Sequence, residues 1–323
     1  MKKLLISLIM GLLITGMAVY ASDLIIESKN QSFNENENKI KFDGDVKVKM
    51  DDMRVEGETA DVTTKDEKLD TATFYNKPYA YEVKKNKKRE VKANILKVSL
   101  ITKLIKAEGE TQSIVFEGRN PIIIINADEQ EYDTKTGIMD AEGNVTIKYK
   151  EIETYSNHAT IKTDKNGDLR NIVLTGNAMV KQENNESYAD KLTYDTATNV
   201  LTGTGNTTTK AVMEDGSKMV LKSHYQEYNK NRNIYNASGN VNIWYQDYYA
   251  VGPKVTCYPN KTTGKPNEIY FTGRSSITQG VRTIYADKIM MTINPKNFNA
   301  TGNTRTVIKN IGSDGGANMT LGL

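Results

Sequence analysis

A short run of alternating apolar and polar residues, centred on a small marker, returns nine times along the chain at intervals of about 33 residues. The markers are Gly44, Asn76, Gly109, Gly143, Gly176, Gly205, Gly239, Gly273 and Gly302, with successive spacings of 32, 33, 34, 33, 29, 34, 34 and 29. A fixed period of roughly 20–50 residues arises when one supersecondary unit is stacked on copies of itself, each burying the face its neighbour cannot bury alone. Such a chain is a stacked scaffold first.

The columns around the marker give the type of unit. Four residues before it stand Ile40, Ala72, Ile105, Met139, Ile172, Leu201, Tyr235, Ile269 and Phe298, all apolar or aromatic. Two before it stand Phe42, Phe74, Ala107, Ala141, Leu174, Gly203, Ala237, Phe271 and Ala300, and the column between is mostly polar. Beyond the marker, apolar residues return two and four positions on, as Val46 and Val48, Val145 and Ile147, or Val241 and Ile243. Period two is the mark of a half-buried strand; a helix would set its apolar groups three and four apart. On this parity the marker glycine faces inward, where the lack of a side chain permits a bend or a close approach.

Two further columns refine the unit. Sixteen residues before the marker stand Ser28, Ala60, Ala93, Ala127, Thr160, Ala189, Ser223, Cys257 and Ala286, so the single cysteine occupies a small packed position. Eleven before it, bulky Phe33, Val98, Tyr132, Tyr194, Tyr228 and Met291 alternate with Lys65, Lys165 and Thr262 in the order ABA, ABA, ABA. The chain is therefore three blocks of about 97 residues, each of three units. At typical strand lengths each unit has room for about three strands, roughly 25–28 in all. Ile122 to Ile125, an unbroken apolar run, is expected to bury both faces.

Residues 1–21 stand apart. Lys2 and Lys3 precede an apolar stretch from Leu4 to Met17, and Val19 and Ala21 are small residues suited to cleavage before Ser22, the pattern of a secretory signal peptide. An exported chain with one cysteine has no internal disulfide framework. Without Lys2 and Lys3 the 43 basic residues fall to 41 against 40 acidic, a balance that argues against a nucleic-acid partner. The one dense charge run is Lys84, Lys85, Lys87, Lys88 and Arg89, broken by Asn86; it reads first as a solvated loop, with a phosphate-facing role as the lesser alternative. Residues 22–310 read as a single elongated body and 311–323, with Gly315-Gly316, as a flexible tail.

No catalytic signature is present: no G-x-S-x-G elbow, P-loop, dinucleotide glycine fingerprint or HExxH pair. His158 and His224 stand at different offsets in their units and do not repeat a ligand position, so neither a catalytic nor a metal site is expected and no cofactor is implied. Asp61, Asp128, Asp190 and Asp287 follow the small column and read as strand-start or turn chemistry.

The run Ala127-Asp128…Tyr132-Asp133…Ala141…Gly143-Asn144-Val145 resembles the recurring motif of the OstA/LptA family, the periplasmic lipopolysaccharide-transport proteins. The first block, from Ile40-Lys41-Phe42-Asp43-Gly44-Asp45-Val46 through Asn76-Lys77-Pro78, resembles a whole family domain, and the likeness extends over about residues 24–310. The resemblance implies an all-β, elongated, twisted OstA-like β-jellyroll (a β-taco) open along one side. It also implies a non-enzymatic periplasmic bridge that carries the acyl chains of lipopolysaccharide or a related amphiphile in an apolar trough toward the outer membrane. The family's small periplasmic member is about half as long, so this chain is an extended version.

The inward column supplies the expected lining: Phe42, Val46, Val48, Ile105, Met139, Val145, Ile147, Ile172, Leu174, Leu201, Val241, Ile243, Ile269, Phe271 and Phe298. For each, the competing reading is a closed, packed core without ligand. The first strand (about 24–29) and last strand (about 303–310) are exposed edges, expected to pair with inner- and outer-membrane transport components or head-to-tail with a second copy. The alternative function is a structural β-solenoid spacer or adhesin-like envelope protein without a lipid. An enzyme acting on polysaccharide would need clustered carboxylates, whereas the acidic residues here are spread over all blocks.

Overall fold

The structure is a computed structural model that describes residues 24–65, 68–213 and 215–309. The signal peptide and the tail expected from the sequence lie outside the described residues. Every regular element described is a β-strand, and all twenty-two belong to one antiparallel sheet.

The first block holds β1 (Leu24–Glu27), β2 (Asn30–Asn34), β3 (Lys39–Met50), β4 (Met53–Lys65), β5 (Lys68–Tyr75), β6 (Tyr79–Lys84), β7 (Lys87–Lys92), β8 (Ile95–Ser99) and β9 (Leu104–Glu117). The second holds β10 (Asn120–Asp133), β11 (Ile138–Tyr149), β12 (Ile152–Thr163), β13 (Leu169–Gln182), β14 (Asn185–Asp195) and β15 (Val200–Val212). The third holds β16 (Lys218–Asn229), β17 (Ile234–Tyr245), β18 (Tyr248–Pro259), β19 (Pro266–Gln279), β20 (Arg282–Thr292), β21 (Asn297–Thr301) and β22 (Arg305–Ile308). Four pairs of short strands share a rung: β1 with β2 on β3, β5 with β6 on β4, β7 with β8 on β9, and β21 with β22 on β20. Each block is then six rungs, two per repeat unit. At the usual spacing of about 4.8 Å, eighteen rungs make a stack roughly 80 Å long. The expectation of three strands per unit was too high, because the strands are 11–14 residues long where unbroken and bend rather than end at the middle.

The bend is the marker. Gly143 (φ 76°) and Asn144 (φ 48°) both lie in the left-handed region, and so do the pairs at 44–45, 76–77, 109–110, 176–177, 205–206, 239–240 and 302–303. In β11 the two residues oppose the single residue Asn157 of β12, since Glu142 pairs with His158 and Val145 with Ser156. Two residues against one is a β-bulge, which bends its strand. Repeated at the same height on nearly every second rung, the bulges crease the whole sheet lengthwise. The halves before and after the crease become two arms facing each other: Ile172 and Leu174 on one half of β13 line the same cavity as Val180 and Gln182 on the other.

This corrects the inward reading of the glycine. A Cβ on Gly143 would stand 2.2 Å from Asp128 Oδ2, and one on Gly205 2.3 Å from Asp190 Oδ2, both carboxylates of exposed residues on the outer face. The glycines make room for these groups. Asn144 Nδ2 donates to Asp128 Oδ2 (2.9 Å), Asn206 Nδ2 to Asp190 Oδ2 (3.0 Å) and Asn303 Nδ2 to Asp287 Oδ2 (2.7 Å). The recurring aspartates are therefore mid-strand fasteners of the crease, not strand-start groups; at the Asn76 unit Asp61 instead meets Lys39 and Tyr75. In the isoleucine run Ile123 and Ile125 are buried while Ile122 and Ile124 are half-buried, so one face, not both, is closed.

Inner side chains form two apolar clusters, one running from Phe42 to Leu192 and one from Met213 to Ile293. Gly143→Ala combines left-handed strain with a clash against Asp128 and is expected to cost about 2–3 kcal/mol. At Gly118 (φ 62°), where a Cβ meets nothing within 4 Å, the same change is expected to cost only about 1 kcal/mol. Urea unfolding of the two variants measures the difference, and equal losses would remove the packing part of the explanation.

Candidate functional site: the interior between the arms and its mouth

The two rows of strand-connecting turns are the free margins of the arms, and they face each other across a long mouth opposite the crease. Four lysines bridge that mouth at three places, or clasps. Lys103 Nζ lies 3.3 Å from Asp51 Oδ2. Lys85 Nζ donates to Asn166 Oδ1 (2.8 Å) while its neighbour Lys87 pairs with Asp168. Lys296 Nζ donates to Gln246 Oε1 (2.8 Å) and sits 4.4 Å from the Tyr248 ring. Most of these groups are solvent-exposed, where such contacts contribute about 0–1 kcal/mol each.

Between the second and third clasps the margins part. There lies an apolar cavity of about 30 Å³ lined by Ile152, Ile172, Leu174, Val180, Leu192 and Leu201, with Tyr149, Tyr194 and Tyr228 toward the margins. Tyr194 and Tyr228 donate to Asn199 Oδ1 (3.0 Å) and Asn233 Oδ1 (2.6 Å), and burial pushes both phenols above the ordinary tyrosine value. The Thr154 hydroxyl, also in the lining, is buried with no hydrogen-bond partner among the described residues. A wider cleft of about 440 Å³ adjoins, reaching Asn233, Tyr235 and Gly264. The apolar cavity has the volume of about one water.

Of the fifteen residues expected to face inward, thirteen are buried, and Leu201 and Phe298 are half-buried. Three of them, Ile172, Leu174 and Leu201, meet at the cavity. The others are distributed along the stack, and none is brought to a single focus. Val180, Leu192 and the three tyrosines were not singled out from sequence, although Tyr194 and Tyr228 belong to the bulky column.

Sequence reading also missed a polar element inside the fold. Gln130 on β10 is buried, accepts from Ser113 Oγ of β9 (2.5 Å) and donates to the Ile125 carbonyl (3.3 Å). Ninety-six residues on, Gln226 on β16 accepts from Thr209 Oγ1 of β15 (2.5 Å) and donates to the Leu221 carbonyl (3.3 Å). Alongside, Thr111 donates to the Ala127 carbonyl (2.8 Å) and Thr207 to the Ser223 carbonyl (2.7 Å). Both sets lie where one block meets the next. The signal was readable: a Thr-x-Ser/Thr run follows the third marker of each block, and a glutamine stands thirteen before the first.

The remaining chemistry-bearing residues serve the fold. Cys257 is free and buried, and burial pushes its thiol up to about 12 from 9.0. His224 stands against Gly239 as the aspartates do against theirs, and His158 lies beside Asp140. No group of three or more His, Cys, Asp or Glu residues that could hold a metal occurs among the described residues.

With this geometry in place the comparisons are specific. Residues 25–120 and 124–227 each match the family described as LptA/(LptD N-terminal domain) LPS transport protein. The matches span more than half of the chain, which belongs to this family. They divide at the β9–β10 turn, where the first six rungs end, and they overlap the third block only at β16 and the residues just before it. No curated protein matches. Among solved structures the chain is similar to LptH from Pseudomonas aeruginosa, described as the LptA homologous periplasmic component of the lipopolysaccharide transport device. The identity is 13% and the TM-score 0.34, over 38% of this chain and 82% of that one.

At pH 8 the folded protein is expected to leave Cys257 unreacted with a disulfide reagent over hours, and to react within minutes in guanidinium. Because the folded thiol titrates higher than the unfolded one, its contribution to stability is present below pH 9 and is lost as pH rises from there toward 12. Rapid labelling of the folded chain at pH 8 would show the third block to be open at β18.

Proposed function

We propose that this chain is a periplasmic carrier of lipopolysaccharide or a closely related amphiphile, holding its acyl chains between the two arms on the way to the outer membrane. The observation that carries the reading is a nearly continuous apolar interior whose mouth is closed by a few lysine clasps at its margins. Each buried CH₂ contributes about 0.8 kcal/mol, so one chain of ~12 carbons gains on the order of 10 kcal/mol on leaving water. That exceeds the few kcal/mol held in the clasps. An entering chain parts the arms and exchanges side-chain contacts for chain contacts, beginning at the unclasped stretch around Leu174 and Leu201.

Photocrosslinking probes placed at Ile147, Leu201 and Ile243 are expected to capture a lipid A-like ligand, and probes at Lys148 and Asn242, on the outer face, are not. Capture from neither set would favour the lipid-free spacer.

The ends of the stack support docking by strand addition, with a second copy as the occupant their side chains fit. Thr306 stands at the offset of Ser113 and Thr209, Thr304 at that of Thr111 and Thr207, and Gln31 at that of Gln130 and Gln226. The first and last rungs thus carry the two halves of a third block boundary. Phe33 at the free end is 60% exposed, whereas Tyr132, its counterpart inside the stack, is 8% exposed. The first and eighteenth rungs also run in opposite senses, as antiparallel addition requires. The double variant Q31E/T306E places like charges across that boundary and is expected to abolish self-association in light scattering, and Q31K/T306E to restore it. Indifference to both changes would count against docking in this register.

A further inference from the structure

The charge run at 84–89 is not a solvated loop. It forms the hairpin β6–β7, which leaves the line of β5 and β8 at Asn76-Lys77-Pro78 and Ala93-Asn94 and projects to the mouth, where Lys85 and Lys87 reach the 164–168 loop. Beneath this clasp is a pocket of about 340 Å³. Six cationic side chains line it, namely Lys84, Lys87, Arg89, Lys135, Lys162 and Lys165, against only two carboxylates, Glu82 and Asp164.

Both carboxylates are already engaged. Glu82 Oε1 is 2.6 Å from Lys84 Nζ, and Asp164 Oδ2 is 2.6 Å from Arg170 Nη2. Burial alone would raise the Asp164 carboxyl, but hydrogen bonds from the Asp168 amide, Arg170 and the Asn166 amide hold it below the usual value. No carboxylate among the described residues pairs with Lys135, Lys162 or Lys165. The Arg89 guanidinium lies 4.1 Å from the Tyr132 ring centroid, makes one long contact to Thr163 Oγ1 (3.5 Å), and keeps its Nε buried without a partner. Arg89, Lys135, Lys162 and Lys165 thus line one pocket with no carboxylate partner among the described residues, a surplus of positive charge suited to an anion. The floor is apolar, formed by buried Val115 and Tyr132. Along the stack the pocket reaches β12 and the loop that follows it, and the lining of the apolar cavity begins at Tyr149 of β11 and Ile152 of β12, so the two adjoin.

We propose that this pocket binds the phosphate group of an amphiphile whose chains lie in the adjoining interior. The assignment rests on the carrier reading above. A phosphate here meets the Arg89 guanidinium and the ammonium groups of Lys135, Lys162 and Lys165, while the first methylenes pass over Val115 and Tyr132.

Calorimetric titration of the full chain below micelle concentrations tests it with three probes: dodecyl phosphate, dodecyl maltoside and inorganic phosphate. The wild type is expected to bind dodecyl phosphate about tenfold more tightly than dodecyl maltoside, with a preference that fades in high salt. The variant K135Q/K162Q/K165Q, which alters exposed residues outside any ion pair, is expected to lose that preference, and so is R89Q. Dodecyl maltoside binding and the unfolding midpoint of the lysine variant should stay unchanged. A lysine variant that keeps the full preference overturns the site and leaves the carrier reading intact. Wild-type protein that binds neither amphiphile overturns the carrier reading and the site with it. Inorganic phosphate bound as tightly as dodecyl phosphate would assign the pocket to the free anion and overturn the headgroup.

Discussion

The crease depends on one local constraint, two consecutive residues held at positive φ in the middle of a strand. A sheet of uniform long strands would stay open, with one greasy face in water. Placing Gly-Asn or its equivalent at the same height on nearly every second rung folds that sheet in half, and its apolar face then covers itself. The outer fastening uses the space that glycine leaves: Asp128, Asp190 and Asp287 sit where a Cβ would be and accept from the asparagine beside it. The interior needs no second sheet and no helix, because the two arms are made of the same strands.

Folding a sheet this way leaves the closed side and the open side very unequal. The backbone crosses the crease on every rung, whereas the mouth is joined at three places by lysine clasps at its margins. Any motion that admits a ligand therefore turns about the crease and begins at the margins. The apolar interior explains why the mouth stays shut in water, and on the proposed carrier function the weakness of the clasps is what lets a hydrocarbon chain open it.

Much of this was legible in the sequence, and the failures are instructive. Period two at Ile40, Phe42, Val46 and Val48 fixed strands and their inward face, because side-chain direction follows backbone parity alone. The same parity misplaced the marker, since it assumes extended backbone and Gly143-Asn144 is not extended. The repeated Gly-Asn pair was the available clue, being a dipeptide that favours positive φ. Dividing 33 residues by an ordinary strand length produced three strands instead of two, again because the bend was taken for an end. The clasp of Lys87 on Asp168 was beyond reach: the two are 81 residues apart, and only the crease brings their turns together. The Gln130 and Gln226 contacts, by contrast, were written in the spacing.

Those glutamines bear on how a chain of this kind grows. Rungs within a block are joined by apolar packing that tolerates many registers, but each block boundary adds a buried amide that must find a hydroxyl on the preceding strand and a carbonyl across the crease. An unsatisfied buried amide costs about 1–3 kcal/mol, so a slipped or omitted rung is penalised there more than elsewhere. The boundary also places polar atoms inside the interior: between the second and third blocks, Ser187, Thr209, Gln226 and Tyr235 form a hydrogen-bonded set that separates one apolar cluster from the next. A hydrocarbon chain of ~12 carbons spans about four rungs, within the six of one block. The two boundaries differ: the first apolar cluster runs on across the Gln130 boundary, and only the wider polar set around Gln226 and Tyr235 divides the interior.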